Sequence, residues 1–221
     1  MTVYVSKVGF TKVGDHWAKS ITDLAFEASK KILETSSENP DALIVANAYS
    51  EVTSSQSNLG PVVADALGLE NVRAFTIESS GASGASAIQV ASDMIAAKKI
   101  RSALVIGVEK MRDVDPLKLL GIQGLAENAE YSQFFGISFT SLNAHLTRLY
   151  MSHYDISREK LSAFPVIAHK NSATAEHAQF KKKFSAEEVS RSEMLADPIR
   201  VLDCAPVGDG AASVLLVDES V

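Results

Sequence analysis

A stretch of small and polar residues, Glu78-Ser79-Ser80-Gly81-Ala82-Ser83-Gly84-Ala85-Ser86-Ala87, is where side-chain type and spacing first suggest chemistry. It follows the apolar run 72–77 and precedes a helical pattern, so it is expected to turn a strand sharply into a helix. α/β proteins bind anions and hold nucleophiles at such turns, because the C-terminal end of a strand there meets the free N–H groups of a helix. Ser80 is a hydroxyl at that turn, but no Gly-x-Ser-x-Gly elbow surrounds it, and hydrogen bonding to the backbone is the ordinary task of a turn serine. Gly81-x-x-Gly84 lacks the lysine and Ser/Thr of a phosphate loop and the first Gly-x-Gly of a dinucleotide fingerprint. Gly208-Asp209-Gly210 enters a strand rather than a helix. Tight packing is the stronger reading of these glycines, with ligand binding kept as the rival.

The five histidines, His16, His145, His153, His169 and His177, show no metal-ligating spacing, and the single cysteine, Cys204, leaves no second thiol for a zinc set or an internal disulfide. No metal site is expected. His169, close to Asn171, is the histidine retained as a candidate to line a site. Cys204 stands just before the last expected strand and reads as a small buried hydrophobe rather than a reactive thiol.

The elements that must position these residues follow from apolar periodicity. Residues 3–9 alternate as a strand does, and Ser20 with Asp23 three residues later opens a helix whose apolar face is Ile21, Leu24, Ala25, Ala28 and Ile32. Residues 42–46 and 103–108 are short apolar runs without a polar face, as in strands covered on both sides. Between them lie a helix over about 57–67, a strand over 72–77, and the helix from the Gly81 turn to about Lys99. This alternation predicts a layered α/β domain with a mainly parallel sheet. From 109 to about 202 the pattern becomes aromatic and polar, with helical segments and no clear strand. One helix is expected over 157–170, kinked by Pro165, and another opens at the capping box Ser185 to Glu188. Residues 211–217 then supply a final core strand.

The chain has 221 residues, enough for a large hydrophobic core, and its 46% hydrophobic and 22% charged content argues against disorder. A net charge of −6 lacks the electrostatic footprint of a nucleic-acid binder, and Lys181 to Lys183 read as a solvated loop. No apolar stretch approaches a membrane span. One cysteine and no signal-peptide pattern point to the cytoplasm.

The string Ala196-Asp197-Pro198-Ile199-Arg200-Val201-Leu202-Asp203-Cys204-Ala205-Pro206-Val207-Gly208-Asp209-Gly210-Ala211-Ala212 resembles, almost residue for residue, a segment of the thiolases of the sterol-carrier-protein-2-type and archaeal acetyl-CoA acetyltransferase branch. Gly107-Val108-Glu109-Lys110-Met111 is similar to the strand end before that family's loop domain. His169-Lys170-Asn171 and Ala178-Gln179-Phe180 resemble its His-x-Asn and Ala-Gln-Phe segments. The similarity covers the whole chain but the N-terminal half of a family member. It implies an α/β fold that is the N-terminal half of a thiolase fold: a five-stranded, mainly parallel sheet covered by helices, formed by residues 1–108 and 203–221, with residues 109–202 as an inserted loop domain.

The resemblance also implies what is missing. Glu78 to Gly84 match the family's Glu-x-Ala-Cys-Ala-Ser/Thr-Gly turn, so Gly81 occupies the position of the nucleophilic cysteine, and no catalytic residue is assigned. Glycine offers nothing to acylate. The activating histidine, the second cysteine and the Gly-His-Pro and Cys-x-Gly motifs belong to the C-terminal half of the family. Ser80, Gly81, His169 and Asn171 are therefore expected as substrate-binding residues, with a CoA thioester as substrate or ligand and no other cofactor. The expected function is an acyl-CoA-handling subunit lacking the nucleophile, working as a homo-oligomer, with a partner chain that supplies the C-terminal half, or both. The rivals are a subunit of a thiolase-like acyl-CoA retro-aldolase, with an OB-fold and zinc-ribbon partner, and a non-catalytic structural or regulatory homologue. Residues 72–77 are the expected dimer strand.

Overall fold

Ser20 caps the first helix through a reciprocal capping box: its side chain accepts from the Asp23 N–H, and the Asp23 carboxylate accepts from the Ser20 N–H. The computed structural model describes residues 2–219. They form two units, Met1–Asp113 with Gly208–Val221, and Val114–Val207 inserted between those segments. In chain order the first unit contains β1 (Tyr4–Phe10), α1 (Ile21–Glu34), β2 (Ala42–Ala46), the single turn α2 (Ser50–Thr53), α3 (Leu59–Ala66), β3 (Arg73–Ile77), α4 (Ser83–Ala96) and β4 (Ser102–Glu109).

The inserted unit holds α5 (Pro116–Gln123), α6 (Phe139–Tyr154), α7 (Arg158–Leu161), α8 (Ala163–Ser172), α9 (Ala186–Arg191) and the hairpin β5 (Met194–Ala196) with β6 (Ile199–Arg200), before the chain returns as β7 (Gly210–Val217). The hairpin corrects the expectation that this stretch has no strand. Pro165 does not kink a long helix. The helix breaks at Ser162, and Pro165 falls in the first turn of α8, where a missing N–H leaves no helical bond unmade. The Ser185 to Glu188 capping box forms as expected.

The sheet order is β1-β7-β4-β2-β3. Strands β4, β2 and β3 run parallel, but β7 pairs antiparallel with both β4 and β1. The sheet is thus mixed, not mainly parallel. Its centre is apolar on both faces, as the unbroken runs of β2 and β4 predicted: Leu43, Val45, Leu104 and Ile106 pack under α1 and α3, whereas Ala42, Ile44, Ala103 and Val105 pack under Ala87, Ala91 and Ile95 of α4. Helix α3 approaches β3 so closely that a Cβ on Gly60 would lie 2.4 Å from the Phe75 carbonyl carbon. β3 is an edge strand. No helix among the described residues is long and apolar enough to cross a membrane.

Candidate functional site

Chain reversal from β3 into α4 takes only a few residues. Ser80–Ala82 form one 3-10 turn, and the Ser83 hydroxyl braces it by accepting from the Ser79 N–H at 2.8 Å and donating to the Ser80 carbonyl at 2.8 Å. Glu78 accepts from the Ser80 N–H at 2.6 Å. Ser80 carries the unusual backbone, with φ 49°, whereas Gly81 is not among the positive-φ glycines. A Cβ on Gly81 or Gly84 would meet nothing within 4 Å. Nothing steric requires glycine at 81. The turn therefore offers an exposed gap beside a helix N-terminus where a side chain would fit.

The same end of the sheet holds a polar network that sequence reasoning missed. Ala46 pairs with Ile77 on one side and Gly107 on the other, so the residues after these three strands emerge together. The Asn47 N–H donates to the Ile77 carbonyl at 3.2 Å. Its side-chain amide donates to the Val108 carbonyl at 2.8 Å and to Glu109 at 3.0 Å, while its oxygen accepts from the Ser50 N–H at 2.7 Å. The other Glu109 oxygen accepts from the Ala48 N–H at 3.0 Å. Alternation along β4 puts Glu109 on the face of Ala103 and Val105, the face α4 covers. Burial pushes the Glu109 carboxyl up, and the hydrogen bonds from Ala48, Asn47 and Tyr49 offset this only in part.

A second buried network gathers where the chain leaves and re-enters this unit. Asp209 is completely buried; one oxygen accepts from the Met111 and Arg112 N–H groups at 2.8 and 2.9 Å, and the other from the His16 N–H at 3.2 Å and the Lys110 ammonium at 3.3 Å. Lys110 also pairs with Asp113 at 2.9 Å. Burial works against the Asp209 charge, but the three N–H donors and Lys110 outweigh it and hold the carboxyl below its usual range. For Lys110, burial is likewise outweighed by Asp113 and Asp209, and its pKa is raised. The sequence signal was a charge at each boundary of apolar strands, Lys110 after β4 and Asp209 before β7, and that pattern is easily mistaken for loop solvation.

Ser80 and Gly81 thus lie side by side in the first unit, and His169 and Asn171 lie on α8 of the inserted unit. The half-buried His169 ring meets Phe184 edge-on at 4.7 Å, and Lys182 lies 4.8 Å from the centre of the same phenyl ring. Asn171 is exposed, with its carbonyl accepting from Thr174. Near Cys204, Arg158 ties Asp203 at 2.6 Å and the Pro198 carbonyl at 3.0 Å. Burial, with the Asp203 charge, pushes the Cys204 thiol up, which disfavours the thiolate. Among the described residues no group of three His, Cys, Asp or Glu could hold a metal ion.

Comparison with known proteins gives a consistent picture. The family model described as the N-terminal domain of thiolase matches residues 3–220. An acetyl-CoA acetyltransferase of Methanothermobacter thermautotrophicus is 34% identical, over 97% of this chain and 56% of that protein, and sterol carrier protein 2 of Homo sapiens is 26% identical, over 99% of this chain and 42% of that protein. The chain spans about half the length of the curated relatives it matches. Among solved structures, the Ltp2-ChsH2(DUF35) aldolase superposes with a TM-score of 0.80 at 19% identity, covering 99% of this chain and 56% of that one. Human mitochondrial 3-ketoacyl-CoA thiolase in complex with CoA superposes with a TM-score of 0.72 at 18% identity, covering 99% of this chain and 65% of that one.

Proposed function

The chain belongs to the thiolase family, which its N-terminal-domain model matches over residues 3–220, and from that membership we propose an acyl-CoA-handling subunit that forms no acyl-enzyme at its strand-to-helix turn. The observation that carries this reading is Gly81, an exposed residue without a side chain where the thiolase turn carries its cysteine. The acyl group would stay on CoA, held beside the N-terminus of α4 rather than transferred to the protein. Ser80, Gly81, His169 and Asn171 are the residues we assign to the substrate.

We place the rest of the catalytic machinery on a partner chain carrying the C-terminal thiolase half. Exposed apolar surface in the first unit supports this: Val5, Val8 and Phe10 share one face of β1, across the bulge between Val5 and Lys7, at 62%, 59% and 53% exposure, and Ile88 of α4 is 41% exposed beside the bare Gly84 and Ala85. Soluble chains seldom leave such surface uncovered.

A retro-aldolase subunit is the second reading. It is favoured by the combination of Gly81, which cannot be acylated, with Glu109, a carboxyl that burial holds protonated to higher pH than usual at the same end of the sheet. The Ltp2-ChsH2(DUF35) aldolase is a precedent for its fold alone.

The test is calorimetric titration of the chain, co-expressed with a C-terminal-half chain, with CoA and acetyl-CoA, followed by intact-mass analysis. Heat of binding without an adduct is the expected result. A stoichiometric acetyl adduct on Ser80 or Cys204 would replace this reading with covalent acyl transfer, and no heat with either ligand would leave a structural homologue.

A further inference from the structure

Four cations converge at the opposite end of the sheet, where the parallel strands begin. Arg73 opens β3, Lys98 and Lys99 follow the last turn of α4, and Arg101 precedes β4. Together with Asp41, ahead of β2, they line a cleft of about 350 Å³ with the buried Ile100 among its lining residues. That volume is at the small end of ligand pockets.

The two lysines alone would be unremarkable, since cations after a helix C-terminus complement its dipole. That argument does not account for Arg73 and Arg101, which reach the cleft from the first residue of β3 and from the residue before β4. Nor is the cluster neutralised. Arg101 has an ion pair, with Glu38 at 3.2 Å. Arg73 donates to the Lys99 carbonyl at 3.3 Å, which anchors its guanidinium but leaves its charge unmatched. The ammonium groups of Lys98 and Lys99 have no partner among the described residues. The carboxylate in the wall is turned to the backbone, one Asp41 oxygen accepting from the Arg101 N–H at 2.7 Å and the Ser102 N–H at 3.1 Å. On a chain whose net charge is −6, a local excess of cations in a concave site is set apart from its surroundings.

We propose that this cleft binds a small phosphorylated anion, held by charge-assisted hydrogen bonds from Arg73, Lys98 and Lys99. A guanidinium matches two phosphate oxygens at once, and the lysines add mobile point charges at the rim. The site shares no residue with the Gly81 turn and requires none of the chemistry assigned there. A ligand here would meet the start of β3 and the end of α4, the two elements whose other ends frame that turn.

Calorimetric titration of the full chain with inorganic pyrophosphate, inorganic phosphate and sulfate at physiological ionic strength tests the assignment. Saturable one-to-one binding is expected, tightest for pyrophosphate. The exposed pair Lys98→Gln/Lys99→Gln should weaken it about tenfold or more with the far-ultraviolet circular dichroism unchanged, and Lys98→Arg/Lys99→Arg should retain it. Heat that does not saturate, sulfate binding as tightly as pyrophosphate, or a folded Gln variant of undiminished affinity would each overturn it.

Discussion

The Lys110 ammonium lies 3.3 Å from the Asp209 carboxylate, and the two side chains are 6% and 0% exposed. They sit 99 residues apart in sequence, on the segments through which the chain leaves the first unit and comes back. Asp209 accepts four hydrogen bonds, three of them from backbone. In Asp209→Asn the amide oxygen can still serve Met111 and Arg112, but the NH2 group would then face the His16 N–H and the Lys110 ammonium, donor against donor. Breaking a buried pair from one side costs about 3 to 5 kcal/mol. Urea unfolding should place Asp209→Asn in that range. Lys110→Met, which leaves Asp209 with its three N–H donors, should lose clearly less. Equal losses would mean that the charge pair, not the backbone network, dominates.

The buried Asp209 and the half-buried Glu109 should act on stability in opposite directions as pH changes. The Asp209 pKa is held below its unfolded value, so its contribution is present above an ordinary carboxyl pKa of about 4 and is lost as pH falls through the lower folded value. Glu109 is raised, so its contribution is present below its ordinary pKa and is lost as pH rises through the higher folded one. Thermal unfolding from pH 3 to pH 8 should therefore show wild type converging on Asp209→Asn in acid. Relative to Glu109→Gln, wild type should lose stability as pH rises above about 4.3, the ordinary glutamate value. A flat difference for either variant would remove that residue from the account.

Such buried pairs mark the limit of what the sequence discloses. Periodicity located every strand of the main sheet, and the boxes at Ser20 and Ser185 are short-range patterns whose geometry follows from spacing alone. Strand direction is different. The apolar run of β7 reads the same either way along the sheet, so its antiparallel pairing with β4 and β1 was invisible, and a mainly parallel sheet was the wrong expectation. The β5–β6 hairpin is too short to show alternation. At the candidate site the Gly81 turn was legible because small residues between a strand and a helix allow few conformations, whereas Asn47 and Glu109 are 62 residues apart and meet only when β2 and β4 pair.

Edge strand β3 should pair with a second copy of itself. Its outer row of N–H and C=O groups needs a partner: the Arg73 N–H and the Ile77 carbonyl are bonded on the β2 side, so by alternation the backbone of Ala74 and Thr76 faces outward. Sedimentation at micromolar concentration should show a dimer. Ala74→Pro, which removes one outward N–H, should weaken it with the far-ultraviolet circular dichroism unchanged. A well-folded wild-type monomer, or a folded Ala74→Pro variant that dimerises as tightly, would place the contact elsewhere.

Gly81→Cys tests the proposed absence of a nucleophile at the turn directly. A Cβ at this position would meet nothing within 4 Å, and the backbone has no positive φ, so the substitution should leave the unfolding midpoint unchanged. The new thiol would stand just before the N-terminus of α4, where the helix dipole and free N–H groups lower a thiol pKa. The native Cys204 thiol is pushed the other way by burial, so alkylation by iodoacetamide at neutral pH should modify residue 81 well before residue 204. With acetyl-CoA, intact-mass analysis should find no adduct on wild type. The variant, supplied with a C-terminal-half chain, should acquire one acetyl group. Slower alkylation at 81 than at 204 would show that the turn does not activate a thiol, and the geometry at Gly81 would then lack the electrostatics of an acyl-transfer site.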